Sequence, residues 1–312
     1  MLAYIIRRLL WTPFLLLAVS AFVFVLGHYG PGDPVEVQLG QHYTEEAAER
    51  LRARHGLDAP VHVQYVRYVW NALRGDFGES FQFQGRGVSE LLGPKLKVSG
   101  QLFLAASVIT IGVGVPLGFF SALRQGTWLD PTVVAGALML YALPVFLTAP
   151  LLIIVFALRL DWVPVSGWGG LSDSRAILPA LTIGLPGIAV FTRIMRASTL
   201  DVLGQDFVRT ARAKGLPELT VRRRHIARNA LIPVLTLIGF SLSGMLGGAL
   251  IVELIFGIPG VGRFALDAIF ARDFPVIMAL TLIGATSLVI ATLIVDILYA
   301  VVDPRIRYGG GA

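Results

Sequence analysis

The chain has 312 residues, 55% of them hydrophobic and 15% charged, with 26 Lys and Arg against 20 Asp and Glu and a mean hydropathy of +0.73. This composition excludes a soluble enzyme and points to a polytopic membrane protein. There is no cysteine, which removes disulfides and thiolate sites, and the histidines at 28, 42, 55, 62 and 225 avoid the deep parts of the apolar runs, which argues against an intramembrane histidine metal site or catalytic dyad.

The first apolar run, Leu9 to Gly27, follows Arg7 and Arg8 and imitates a signal peptide. At 19 residues it exceeds a signal h-region, and no small-residue cleavage site closes it, so it reads as a retained first spanning helix. The loop from His28 to Ser99 carries structure of its own. Thr44 is placed to cap a helix with Glu45 and Glu46 in its first turn, Arg50, Arg52 and Arg54 toward its end and Gly56 beyond. A second stretch, Val61 to Leu73, spaces Val61, Tyr65, Tyr68 and Trp70 and stops at Gly75. Together they predict a small helical cap on the outer face, serving as a docking surface or simply as a seal.

Five more apolar runs follow, at Gly100 to Leu123, Thr132 to Leu158, Ala176 to Phe191, Ala230 to Val252 and Pro275 to Val302, which makes six predicted spans. The fourth is short and is expected to be completed by Arg193 snorkelling to the interface. Pro116, Pro144, Pro186 and Pro233 predict kinks. Outside the long loop, 14 basic residues (Arg7, Arg8, Arg124, Arg193, Arg196, Arg209, Arg212, Lys214, Arg222, Arg223, Arg224, Arg228, Arg305 and Arg307) flank one side and 4 flank the other (Arg159, Arg175, Arg263, Arg272). The excess puts both termini inside and the His28 to Ser99 loop outside.

Between the fourth and fifth spans, where a short connector would suffice, lies a basic segment from Gly204 to Pro233. Asp206 reads as an N-cap, Phe207 to Lys214 contain no helix breaker, Gly215 suits a left-handed cap and Pro217 stops continuation. A helix of about two turns is marginal alone. Phe207 and Ala211, one turn apart beside Arg209, Arg212 and Lys214, are therefore expected to dock against another protein on the cytoplasmic side. Arg222, Arg223, Arg224 and Arg228 are accounted for by topology or by anionic lipid, and call for no nucleic acid.

Sites of chemistry are few. No G-x-x-x-x-G-K-[ST] occurs, so the chain holds no P-loop of its own. The elbow-like run from Gly239 to Ser243 lacks its final glycine. Asp296 is a carboxylate inside an apolar run, near Tyr299, Asp303 and Arg305, and reads as a structural ion pair or, on the sharper alternative, a proton carrier. Thr236, Gly239, Ser243 and Gly247 share one face of the fifth span, as do Thr281, Ala285 and Thr292 on the sixth, with small-xxx-small spacings at Gly114/Gly118 and Gly244/Gly248. Close packing explains such stripes; the alternative is that Thr236, Ser243, Thr281 and Thr292 line a polar path. No internal repeat is evident, which weakens an inverted-repeat secondary transporter.

The loop string "RTARAKGLPELTVRRRHIARNALIPVLTLIG", Arg209 to Gly239, resembles the permease subunits of ABC importers, in particular the peptide/nickel family of dipeptide and oligopeptide permease B type. Arg209 stands where many such permeases have glutamate, and Pro233 comes later than in the short consensus, departures typical of the peptide branch. The resemblance extends through "MLAYIIRRLL", "PGDP" at Pro31 to Pro34, "GLDAP" at Gly56 to Pro60, "QYVRYVW" at Gln64 to Trp70 and "GDFGES" at Gly75 to Ser80. It continues in "IVELIFGIPGVGR" at Ile251 to Arg263, "RDFPV" at Arg272 to Val276 and "VDPRIR" at Val302 to Arg307.

This resemblance implies an all-α, six-span permease subunit in the bacterial cytoplasmic membrane, with residues 1–99 forming the first span and extracytoplasmic loop and 100–312 a five-helix transport domain with a coupling loop at 194–230. It would form half of a pathway for di- or oligopeptides, together with a second and different permease chain, two cytoplasmic ATPases that hold ATP and magnesium, and an extracytoplasmic substrate-binding protein. This chain would carry no cofactor, metal or catalytic residue. Asp206, Phe207, Arg209, Thr210, Ala211, Arg212, Lys214 and Gly215 would form the coupling helix: Phe207 and Ala211 for burial, Lys214 for register and Gly215 for the turn. Alternatives are a nickel or glutathione importer of the same family, a proton-coupled transporter using Asp296, and a membrane scaffold or receptor subunit.

Overall fold

Apolar segments that must satisfy every backbone N–H and C=O without water do so as helices. In a computed structural model, residues 2–29, 35, 39–40, 43–56, 58–243 and 249–302 are described, the side chains at 2–9, 29, 54, 55, 240, 242, 243 and 295–302 excepted. The described chain is all-α: α1 (Leu2–Tyr29), α2 (Glu45–His55), α3 (Val61–Leu73), α4 (Val88–Leu123), α5 (Leu129–Ala142), α6 (Val145–Leu152), α7 (Ile177–Leu203), α8 (Asp206–Ala213), α9 (Ile232–Ser243), α10 (Leu250–Ile255), α11 (Val261–Phe270) and α12 (Phe274–Val302).

Four helices are long and apolar enough to cross a membrane, those at Leu10–His28, Val88–Leu123, Ser174–Leu203 and Phe274–Ile294. The third predicted span is broken: α5 and the α6 segment, which widens to a π-helix over Ile153–Arg159, meet at 100°. Pro144 sits at this break as the residue before α6, so it ends one helix rather than kinking a continuous one. The fifth predicted span appears as α9 and α10, with residues 244–248 outside the described residues. The described crossings therefore number four, or five with the bent pair, against six expected.

Two boundaries move. α4 starts at Val88 rather than Gly100 and runs 36 residues, because the polar turn before the apolar core is already helical. α7 continues past Phe191 to Leu203, 27 residues in all, so the helix runs about three turns beyond the predicted end of the fourth span. α4 and α7 form the central pair. A Cβ at Gly114 would lie 2.8 Å from the Phe191 Cβ, and one at Gly118 would lie 2.3 Å from the Thr192 carbonyl oxygen. The small-residue spacing in α4 therefore serves close packing, reinforced where Thr110 donates to Gly184 O at 3.1 Å and Thr192 to Gly114 O at 3.2 Å.

In the long loop, Thr44 caps α2 by accepting the Ala47 N–H at 3.2 Å, and Gly56 closes it at φ +65, as predicted. α3 is fastened to α1 through its tyrosines: the Tyr65 hydroxyl donates to Leu17 O at 3.0 Å and meets Ser20 Oγ at 2.9 Å, and the Phe24 ring packs on those of Tyr65 and Tyr68.

Candidate functional site

α8 forms at the end of α7, as the delimiting residues predict, with two corrections. Its N-cap is Gln205, extended and without a side-chain hydrogen bond; Asp206 is instead the first helical residue, where its charge faces the positive end of the helix dipole and lies 3.7 Å from Arg209. The buried pair is Val208 and Ala211, packed with Val221 and Ile226 against Phe119, Val202 and Leu203, whereas Phe207 is 42% exposed. The i, i+3 pair faces the bundle, and Phe207 is turned aside from that seat. Thr210 spends its hydroxyl on Asp206 O at 2.9 Å.

The C-terminus closes as expected. Gly215, at φ +74, donates to Arg212 O at 2.9 Å, and Leu216 donates to Ala211 O at 3.4 Å, the paired bonds of a left-handed helix cap. Beyond it, Glu218 accepts from Arg212 Nε at 3.2 Å and Nη2 at 3.0 Å, and from Arg222 Nε at 3.3 Å. The Arg212 hydrogen bond, followed by that from Arg222, holds the Glu218 carboxyl below its ordinary range. The chain then continues through a π-helical turn, Val221–Ala227, that leads toward α9.

The same end of the bundle holds a polar anchor. The buried Asp130 of α5 accepts Arg196 Nε and Nη2 of α7, each at 2.6 Å, and the Ser121 hydroxyl of α4 at 2.5 Å. Three helices thus meet on one carboxylate, in the bidentate geometry suited to arginine.

Two further buried carboxylates fix the opposite end. Glu253, in α10, is 0% exposed and accepts from Ser99 Oγ at 2.7 Å, Ala249 N at 3.3 Å and Arg263 N at 2.9 Å; Ser99 in turn accepts the Val261 N–H at 2.8 Å. Asp273 accepts the Ser80 hydroxyl and the N–H groups of Phe81 at 3.1 Å and Gln82 at 3.3 Å. One carboxylate ties the α10–α11 hairpin to α4, and the other ties the end of the long loop to the start of α12.

The expected path threonines each bond within their own helix. Thr236 bonds back to Ile232 O at 3.4 Å, Thr281 to Ile277 O at 2.8 Å and Thr292 to Leu288 O at 2.5 Å, each to its own helix. The side chains of Ser243 and Asp296 lie outside the described residues, as do Gly244 to Gly248 and Asp303 to Arg307.

Comparison with known proteins places this architecture. Residues 114–308 match the family described as the binding-protein-dependent transport system inner membrane component, and residues 1–91 match the N-terminal region of such membrane components. The chain belongs to this family. Among relatives of this transport component, the oligopeptide transport system permease protein AppB of Bacillus subtilis is 38% identical, covering 99% of this chain and 100% of that one. The oligopeptide permease OppB of Salmonella typhimurium is 37% identical (99% and 100% covered), and the dipeptide permease DppB of Escherichia coli 36% (99% of each). A chain of the MetNI methionine ABC transporter shares the fold, with a TM-score of 0.54 and 15% identity over 68% of this chain and 96% of that one.

The inner membrane component thus carries three anchors that reading the sequence for chemistry did not single out. Asp130, Glu253 and Asp273 stand singly in apolar or loop surroundings, and their partners lie 66, 154 and 193 residues away in the chain. A signal was present: Glu253 lies in "IVELIFGIPGVGR", Asp273 in "RDFPV" and Ser80 in "GDFGES".

Proposed function

We propose that this component is the permease subunit of an ATP-driven importer of di- or oligopeptides and forms half of the translocation pathway, beside a second, different permease chain. Peptide cargo is supported by relatives named for oligopeptide and dipeptide transport that match along the whole chain. Separate cytoplasmic subunits bind and hydrolyse ATP with magnesium, a reading supported by the absence of a P-loop motif from this sequence. A substrate-binding protein delivers cargo on the loop side. The excess of basic residues on one set of short flanks supports a bacterial cytoplasmic membrane protein with both termini inside. The division into residues 1–99 and a transport domain 100–312, with coupling loop 194–230, belongs to the same reading.

The observation that carries it is α8. Val208 and Ala211 seat this short helix on the bundle, while Phe207, Leu216 and Leu219 present 42%, 38% and 61% of their surface outward. These exposed apolar side chains, interspersed with Asp206, Arg209, Thr210, Arg212 and Lys214, suit a groove of an ATPase subunit. Closure of the ATPase pair would move α8, and its seat on Val202, Leu203 and Phe119 would pass the motion to α7 and α4, as a rigid-body change between two states. Thr236, Ser243, Thr281 and Thr292 border the path in this reading.

Gly215→Val tests it, because a β-branched residue is strained at φ +74 although the space around the position is open. The expected result is a subunit that inserts and assembles normally but neither transports nor raises ATP hydrolysis in response to substrate. Normal transport with normal stimulation refutes the coupling assignment. Co-purification of the complex and identification of the ligand on its binding protein tests the cargo.

A further inference from the structure

A cleft of about 420 Å³ opens between the loop at residues 82–86, the first two turns of α4 and the outer face of α11, within the roughly 300–1,000 Å³ range of small-ligand sites. Its walls are fixed before anything enters. On one side Asp273 holds Ser80, Phe81 and Gln82, while Phe83 N donates to Ser80 Oγ at 2.9 Å and Ser80 N to Arg86 O at 3.0 Å. On the other, Leu91 and Leu92 of α4 pack in one core with Phe264 and Ala268 of α11.

Charges of both signs line this cleft and do not cancel. Lys95 of α4 and Asp267 of α11 both border it, yet no ion pair joins them, and neither side chain has a charged partner among the described residues. The Lys95 ammonium lies 4.6 Å over the ring of Phe264, one turn of α11 before Asp267, a seat that holds the cation without neutralising it. Arg86, the third charge at the cleft, is spent on Glu90 at 2.9 Å. Phe83 and Phe270, 39% and 79% exposed, add apolar surface to the same cleft.

That combination selects a class of ligand. A simple cation is repelled by Lys95 and a simple anion by Asp267, and a purely apolar molecule would strip water from both charges without replacing it. A molecule that carries an ammonium and a carboxylate on a short, partly apolar body answers all three features at once. A short peptide with free termini is such a molecule. With both termini of the chain inside, the cleft opens on the outer face, where cargo arrives.

We propose that this cleft is a receiving site for short peptides, in which Lys95 takes the C-terminal carboxylate, Asp267 takes the N-terminal ammonium, and Phe83, Phe264 and Phe270 contact the peptide's side chains. The site rests on the reading of peptides as cargo and adds to it the residues that select free termini.

The absence of cysteine allows a direct test in the full chain, assembled with its partner subunits in lipid nanodiscs without binding protein. Ala271→Cys places a thiol in the cleft wall, and Arg50→Cys, whose parent side chain is 82% exposed on α2, is the reference. Millimolar alanyl-phenylalanine is expected to slow maleimide alkylation at 271 and not at 50. The N-acetylated and the C-amidated dipeptide should each need about tenfold more for the same protection, one charged contact being lost. Lys95→Met should abolish the difference between free and amidated peptide and keep that between free and acetylated peptide, and Asp267→Asn should do the reverse, a pattern that a merely misfolded chain does not give. No protection by the free dipeptide, protection indifferent to blocked termini, a Lys95→Met chain that still discriminates against the amide, or protection that needs added binding protein overturns the site. Peptide-stimulated ATP hydrolysis with loaded binding protein reports on the cargo separately: stimulation beside an unprotected cleft removes the site and leaves peptide cargo standing, while no stimulation by any peptide removes the cargo reading.

Discussion

Ser99 and Glu253 are 154 positions apart, yet the Ser99 hydroxyl donates to the Glu253 carboxylate at 2.7 Å while itself accepting the N–H of Val261 at 2.8 Å. The serine thus bridges an acidic side chain and the backbone of the hairpin that follows it. Gly260 permits the arrangement: a Cβ there would fall 2.3 Å from the Glu253 Cδ. The hairpin is fastened to α4 by one side chain and by a glycine that leaves room for it.

Glu253→Ala should leave the Ser99 hydroxyl and the N–H groups of Ala249 and Arg263 without their acceptor, at about 1–3 kcal/mol for each buried group. Thermal inactivation of the detergent-solubilised complex should show a large loss, with Glu253→Gln intermediate because one oxygen remains. Gly260→Ala should be severe in the natural background and much milder beside Glu253→Ala, since the clash partner is gone. Additive losses in that double variant would show that the glycine is needed for another reason.

Asp273 makes the second long-range tie. Asp273→Ala frees the Ser80 hydroxyl and the N–H groups of Phe81 and Gln82, so hydrogen exchange over residues 76–87 should accelerate while exchange in α8 stays unchanged. Asp273→Asn should accelerate it less. An unchanged exchange pattern would mean that the loop is held by other contacts.

What could be read from the sequence follows from the range of each interaction. The caps of α2 and the closure of α8 depend on residues within one turn, and Thr44, Gly56 and Gly215 announced them. The seat of α8 on its own bundle depended on the rotation of the helix against Phe119, Val202 and Leu203, so Val208 joins Ala211 there while Phe207 stays exposed. The three buried carboxylates escaped because a lone acidic residue has no periodicity, and partners on other helices become visible only after folding. The contact of α3 with α1 escaped for a similar reason: the helical spacing of its tyrosines does not say that Tyr65 reaches Leu17 O.

The Asp130–Arg196 pair should behave as a buried ion pair, with Asp130 only 6% exposed. Removing one member, as in Arg196→Ala, is expected to cost about 3–5 kcal/mol, because the carboxylate stays behind unpaired. Arg196→Lys should recover only part, having lost the two-pronged contact. The double variant Asp130→Leu with Arg196→Met should recover most of the stability, as judged by thermal inactivation of the assembled complex. A double variant as unstable as the single one would show that the pair contributes more than mutual neutralisation.

The coupling segment should be sensitive to acid through Glu218. Its carboxyl is held below the ordinary glutamate value of about 4.3 by the Arg212 hydrogen bond first and the Arg222 hydrogen bond second. A group whose folded pKa is depressed contributes stability above its unfolded pKa and loses it as pH falls through the folded one. The clamp should therefore be at full strength at neutral pH, begin to weaken near pH 4 and be lost below the depressed value. Because Glu218 is 43% exposed, the effect should be local and salt-screened rather than a global melting. The protection of residues 212–222, taken relative to the intrinsic exchange rate at each pH, should fall on acidification in the natural chain and be already low and unchanged with pH in Glu218→Gln. Equal exchange in the two proteins at neutral pH would show that the carboxylate does not hold the end of α8 in place.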